Sequence, residues 1–170
     1  MLTSMTLLVF YIIIARIIEL IISKKNTTLL LRNGGIEFFP SHYKFLVIFH
    51  FLFIFYFLIK SFNTFIYDKS LLIVFIFIQL IRFKIIYDLG RFWTTKIIVL
   101  EDVPMVKSGL YKYFRHPNYL IVFLEVFLVC LIFVDYQALI CFSLLNLLLL
   151  LTRVYFEEKA NKKRRDKFKF

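Results

Sequence analysis

Arg115, His116, Pro117, Asn118 and Tyr119 stand where a basic stretch meets an apolar one, and Asn146, Arg153 and Glu157 follow at intervals of seven and four. Such intervals put side chains on one face of a helix. Proline suits the first turn of a helix, where its missing N–H is not needed, and it pushes the residue before it out of helical geometry. His116 is therefore predicted at a helix N-terminus, aimed away from the helix body. Asn118 and Glu125, also seven apart, run a polar stripe along the same helix. An acid within an apolar helix marks a functional site unless a cation such as Arg16 or Arg82 neutralises it. A histidine, a tyrosine, a guanidinium and one or two carboxylates at one depth could hold an anionic oxygen, bind a cation and move a proton. The plainer alternatives are that His116 only caps its helix and that Arg153 and Glu157 form a surface ion pair worth a few tenths of a kcal/mol.

The elements that must position these groups are five apolar runs: Leu7 to Ile22, Phe45 to Ile59, Leu71 to Ile86, Tyr119 to Val134 and Tyr136 to Leu151. The chain of 170 residues is 61% hydrophobic and 20% aromatic, with a mean hydropathy of +0.81. That is more apolar side chain than a soluble core of this size can bury. The fold class expected is all-α, an integral membrane bundle of about five transmembrane helices. Each run falls slightly short of the roughly 20 residues that cross a bilayer and relies on flanking aromatic and basic side chains to reach both interfaces. The first run lacks the basic leader and small-residue cleavage site of a signal peptide, and Arg16 and Glu19 interrupt it. Those two residues share a helix face and are expected to neutralise each other. The last two runs meet at Asp135 in a tight turn, so they form an antiparallel hairpin whose far ends lie side by side. This brings His116 next to Arg153 and Glu157.

Charge orients the bundle. There are 22 Lys and Arg against 11 Asp and Glu, a net +11, and eight of the cations lie between Arg153 and Lys169. Lys24, Lys25, Arg32 and Lys44 follow the first run, and Arg91, Lys96, Lys107, Lys112 and Arg115 follow the third. The opposite connections hold only Lys60 and Lys69. The positive-inside rule then predicts an external N-terminus, with loop 88–117 and the C-terminal tail in the cytoplasm. The whole of 1–170 reads as a single membrane domain: N-terminal spans 1–87, a loop and hairpin 88–158, and a basic tail 159–170 suited to an anionic leaflet. No groove-reading module is present, which argues against a nucleic-acid partner. Cys130 and Cys141 are too few for a disulfide framework, and His42, His50 and His116 have no metal-ligand spacing, so no metal is expected. Gly34, Gly35, Gly90 and Gly109 form neither a Gly-x-Gly-x-x-Gly nor a P-loop.

Three segments taken in order carry a resemblance: Val106-Lys107-Ser108-Gly109-Leu110-Tyr111, then Arg115-His116-Pro117-Asn118-Tyr119, then Arg153 with Glu157-Glu158 after the apolar hairpin. Together they resemble the isoprenylcysteine carboxyl methyltransferase family of integral membrane enzymes. The likeness covers about the last 80 residues, from Gly90 onward. Arg16, Glu19, Asn26, Glu37, His42-Tyr43 and His50 extend it to the short, bacterial-type members, which implies a multi-pass protein of a bacterial cell membrane.

The resemblance implies methyl transfer from S-adenosyl-L-methionine to an oxygen of a lipophilic or lipidated substrate that reaches the site from the bilayer. By the family pattern Val103, Pro104, Met105, Val106, Tyr111, His116, Pro117, Asn118, Tyr119 and Glu157 would contact the cofactor. Arg153 would face the acceptor, and His116 could take a proton from it. Prenylcysteine enzymes continue beyond the double glutamate with a Phe-Gly and tyrosine-rich segment, whereas Lys159 to Phe170 is a short basic tail, so the likeness extends to the chemistry and not to the prenylcysteine substrate. Transfer from a sulfonium to an anionic oxygen annihilates charge and gains from a site that excludes water. A carboxylate with a pKa near ~4 needs no general base, while an enol or phenol does. The rival readings are an NADPH-dependent sterol or enoyl reductase, whose members are usually much longer, a phospholipid N-methyltransferase, whose amine Arg153 would repel, and a non-catalytic membrane adaptor.

Overall fold

The computed structural model describes residues 3–64 and 67–168. Six α-helices account for most of them: α1 (Ser4–Arg32), α2 (Pro40–Ser61), α3 (Lys69–Leu89), α4 (Pro117–Ile132), α5 (Tyr136–Ala160) and the short α6 (Lys162–Phe168). The five expected apolar runs are the bodies of α1 to α5. Four of these helices are long and apolar enough to cross a membrane. Their outward side chains are bare hydrocarbon, with Ile14, Ile21, Phe51, Ile73, Leu80, Ile140 and Leu148 each more than half exposed. Helices satisfy their own backbone hydrogen bonds, so apolar faces of this kind suit lipid and not water. The protein is an all-α, multi-pass membrane bundle.

The remaining long helix, α4, has 16 residues, or about 24 Å of rise against a hydrocarbon core of about 30 Å. It is also the most enclosed. Val129, Cys130 and Ile132 have no exposed surface, and Ile121, Val122 and Val126 are nearly as buried. Its packing partners are α3 on one side and α5 on the other.

Polar residues prolong the helices beyond the apolar runs. α1 continues past Ile22 to Arg32, because Ser23 and Asn26 are buried against the loop that follows α3. It stops at Gly34, whose φ of +85° is the left-handed conformation that closes a helix end. The Gly35 N–H donates to the Leu30 carbonyl at 2.9 Å, the long-range bond of a Schellman turn. Gly35 then opens a three-residue strand, β1 (Ile36–Phe38), which pairs antiparallel with β2 (Ile97–Val99) in the register Ile36↔Val99, Glu37↔Ile98, Phe38↔Ile97. This ribbon has no counterpart in the apolar pattern. It ties the α1–α2 connection to the long loop before α4, and Lys96 pairs with Glu37 across it at 2.9 Å.

The bundle therefore has two unlike ends. Loop 90–116, the ribbon and α6 crowd the first. At the second, the Thr3 hydroxyl donates to the Ser61 carbonyl at 3.0 Å, and the chain turns from α4 into α5 through Phe133, Val134 and Asp135. Asp135 accepts from the Ala138 N–H at 2.9 Å as the cap of α5, takes the Tyr56 hydroxyl at 2.7 Å and pairs with Lys60. Burial works to raise its pKa, but Lys60, the Ala138 N–H and Tyr56 outweigh it and hold the carboxyl below the usual carboxylate range.

Midway along the bundle Arg16, Glu19, Arg82 and Glu125 form one buried network. Arg82 bridges Glu19 through Nε at 2.5 Å and Nη2 at 2.8 Å and reaches Glu125 through Nη1 at 3.0 Å. Arg16 pairs with both acids as well. The expected Arg16–Glu19 pair is half of a quartet joining α1, α3 and α4, and it explains Glu125 without recourse to catalysis.

Candidate functional site

Three local devices position the side chains at the loop end. Gly90, with φ +52°, turns the chain out of α3 into a 3-10 turn (Gly90–Phe92), and Asn26 on α1 grips that turn by donating to the Gly90 carbonyl at 2.9 Å and the Trp93 carbonyl at 2.8 Å. Ser23 adds a second tie, accepting from the Thr95 N–H at 2.9 Å. Further on, Gly109 has φ +55° and lies so close to Asp88 that a Cβ there would sit 1.8 Å from a carboxylate oxygen. Any other side chain would be strained at this φ and would have to push the Asp88 carboxylate aside, and the 3-10 turn that Gly109 opens (Gly109–Lys112) delivers Tyr111. Finally Pro117 takes the first position of α4 and leaves His116 as the N-cap residue.

His116 makes no side-chain cap. Its Nε2 donates to Glu158 Oε1 at 2.8 Å, and its ring stacks on Tyr119 with centroids 5.4 Å apart. Nor do Arg153 and Glu157 pair with each other. They share Tyr119, whose hydroxyl donates to Glu157 and accepts from Arg153 Nε at 3.0 Å, while the guanidinium lies 5.5 Å from the centre of the same ring. Arg153 is 7% exposed, and its two terminal nitrogens make no hydrogen bond among the described residues. α5 thus presents Asn146, Arg153 and Glu157 towards α4. Asn146 is fully buried and donates to the Val122 carbonyl at 3.4 Å.

Two cavities meet at this cluster. The one at the loop end has a volume of about 410 Å³ and is lined by Met105, Val106, Tyr111, His116, Asn118, Tyr119, Arg153 and Glu157. Of the predicted residues, Val103, Pro104 and Pro117 stay out of the lining. The first two offer their carbonyls to Arg164 instead, at 2.5 and 2.9 Å, and Pro117 is buried in the helix turn. The second cavity, of about 480 Å³, lies deeper and is walled mostly by apolar side chains of α1 and α2, among them Ile13, Ile17, Leu46, Phe51 and Ile54, with Arg16, Glu19 and Arg82 of the buried quartet and His50 also on its walls. Asn118, Tyr119 and Arg153 belong to the walls of both, as do Trp93 and Thr94.

The electrostatics follow from this crowding. Burial, then Glu157, then Asp88 raise the pKa of the Tyr111 phenol, so it stays protonated across the physiological range. The Asn118 Oδ1 and Trp93 Nε1 atoms are buried and without a hydrogen-bond partner among the described residues.

The tail departs from expectation. Residues 162–168 are helical, and Arg164 is 9% exposed, folded under the loop with its guanidinium on the Val103 and Pro104 carbonyls and on Asn161. Arg165 pairs with Glu158, and Lys167 with Asp102 at 2.5 Å. Part of the basic tail is therefore structural, because carbonyls of a loop with little secondary structure need donors and the arginines supply them. Positions 169 and 170 of that tail lie outside the described residues. Arg164, Asn161 and Trp93 line the first cavity and escaped the motif reading, and Glu158, which the motif names beside Glu157 without a role, lines it too.

Residues 71–162 match the model of the isoprenylcysteine carboxyl methyltransferase (ICMT) family. An uncharacterized protein of Bacillus subtilis, YpbQ, is 34% identical over 161 residues, covering 91% of this chain and 94% of its own. An uncharacterized protein of Haemophilus influenzae is 31% identical over 157 residues, covering 88% and 90%. No solved structure matches the chain significantly.

Proposed function

The chain belongs to the isoprenylcysteine carboxyl methyltransferase family, and from that premise we propose that it transfers a methyl group from S-adenosyl-L-methionine to a carboxylate or acidic hydroxyl of a lipophilic substrate. The observation that carries this reading is the pair of cavities, one at the loop end and rich in charged side chains, one mostly apolar and among the spans, with Arg153, Tyr119 and Asn118 in their common wall. A water-soluble donor and a lipid-soluble acceptor need such a meeting place.

The loop-end cavity suits the cofactor. Its volume lies within the roughly 300–1,000 Å³ of ordinary small-molecule sites. The carboxylates of Glu157 and Glu158 suit an ammonium group, the ring faces of Tyr111 and Tyr119 suit a sulfonium, and the unpartnered Asn118 oxygen awaits a donor. The bound cofactor supplies an electrophilic methyl on a positively charged sulfur. Tyr119 fixes Arg153 and Glu157 relative to each other. Arg153, with Nε committed to Tyr119, keeps two terminal nitrogens for an acceptor oxygen. An acceptor that is already a carboxylate needs no base. For a hydroxyl acceptor His116 Nδ1 takes the proton, because Nε2–H is held by Glu158, which also fixes the ring. The apolar walls exclude water, which favours a reaction that cancels opposite charges.

Calorimetry on the detergent-solubilised protein tests the reading: S-adenosyl-L-methionine should bind, and His116→Ala and Glu157→Ala should each weaken it, by roughly tenfold or more for a lost charge-assisted hydrogen bond. Binding of NADPH in its place would install the reductase reading.

The site also calls for a defined orientation in a bacterial cell membrane, with loop 90–116 and α6 in the cytoplasm, where the cofactor is made. In a chain with Cys130 and Cys141 replaced, Lys69→Cys in intact cells should react with an impermeant thiol reagent and Lys162→Cys should not. The reverse pattern would overturn the orientation and the access route with it.

A further inference from the structure

We infer that Trp93 is a substrate-contacting residue whose indole N–H is the second donor, beside Arg153, to an acidic oxygen of an amphiphilic acceptor. The assignment rests on the methyltransferase reading for its biological sense, and on geometry for its substance. Trp93 is 3% exposed and belongs to the walls of both cavities, yet its Nε1 has no partner. An indole N–H is a donor and nothing else, and buried tryptophans ordinarily find it an acceptor. Leaving it unpaired destabilises the ligand-free protein, so an orphan donor of this kind calls for an explanation.

The surroundings supply one. The main chain of Trp93 is over-determined: its N–H donates to the Gly90 carbonyl at 3.1 Å, and its own carbonyl receives Asn26. Rigid placement of a residue whose polar atom satisfies nothing in the protein suits a group held ready for a ligand. Arg153, on the walls of the same two cavities, keeps its terminal nitrogens free of protein partners among the described residues. A ligand that satisfies both a guanidinium and an indole N–H offers an oxygen anion with at least two lone pairs, and the largely apolar second cavity suits its hydrocarbon chain. The ligand class is therefore a long-chain acid, of which a fatty carboxylate is the simplest. An ammonium head group has no acceptor to offer either donor.

Trp93 is the only tryptophan in the chain, so its ultraviolet resonance Raman band for indole N–H hydrogen bonding is unambiguous. Palmitate added to the full chain in detergent should shift that band towards stronger hydrogen bonding, and hexadecane, which fills the cavity without an acceptor, should not. Trp93→Phe keeps the ring and removes the donor. It should weaken palmitate binding by about tenfold and change the affinity for S-adenosyl-L-homocysteine far less, since the ring that lines the loop-end cavity is kept. An unmoved band with equal palmitate affinity in both proteins overturns the assignment, and so does palmitate that fails to bind at all. If S-adenosyl-L-homocysteine does not bind the wild type, the methyltransferase reading falls by itself, and the Raman shift still decides the role of Trp93.

Discussion

Arg153→Lys is expected to lower turnover by roughly ten- to hundredfold while leaving the dissociation constant of S-adenosyl-L-methionine within about twofold. One charge-assisted hydrogen bond is worth about 1.5–3 kcal/mol, and lysine keeps the charge but loses the planar fork. In the structure that fork does two things at once, holding Tyr119 through Nε and presenting its remaining nitrogens to the shared wall. An ammonium cannot do both. Glu157→Gln should act in the opposite sense, raising the cofactor's dissociation constant first, since Glu157 lines the loop-end cavity and not the apolar one. Tyr119→Phe should show both effects together, because it removes the hydroxyl that both residues share. Steady-state rates and equilibrium binding on the three variants decide the matter. Equal losses of cofactor affinity in Arg153→Lys and Glu157→Gln, with acceptor affinity untouched, would reduce the cluster to a structural tie between α4 and α5.

The buried quartet supports the second large effect. Arg82→Met leaves Glu19 and Glu125, 6% and 4% exposed, with only Arg16 between them. Stranding a buried charge by removing one partner costs about 3–5 kcal/mol, a large part of the total stability of most domains. The variant should show a much lower thermal midpoint in detergent, or little folded material. Arg82→Met with Glu125→Gln removes one cation and one anion together and should recover part of the loss. That interaction between the two substitutions distinguishes a coupled network from two independent packing defects. A midpoint unchanged by Arg82→Met alone would show the quartet to be dispensable.

What could be read from the sequence divides along a physical line. Hydropathy marks the bodies of the helices, because lipid demands long apolar runs, and the turn at Asp135 pairs α4 with α5, because a tight turn leaves no other arrangement. The convergence of His116, Tyr119, Arg153 and Glu157 at one end follows from those two facts and the helical repeat. The continuation of α1 through Lys24 and Asn26 to Arg32, the β1–β2 ribbon and the burial of Arg164 could not be read in the same way. Each depends on a partner far along the chain: Asn26 on Trp93, Glu37 on Lys96, Arg164 on Val103. A local pattern sees a polar residue in such places and assigns it to solvent. Trp93 escaped for the related reason that a lone tryptophan beside a span looks like an interfacial anchor.

The apolar cavity is walled by α1 and α2, whose outward faces are bare hydrocarbon. A ligand drawn from that side is measured in moles per mole of lipid, whereas one arriving at the loop end is measured in moles per litre. Apparent affinities on the two sides then carry different units and respond to different manipulations. Adding detergent or empty vesicles dilutes a ligand of the first kind and leaves the second unchanged, so a saturation curve for a bilayer-borne ligand has meaning only when its surface mole fraction is stated.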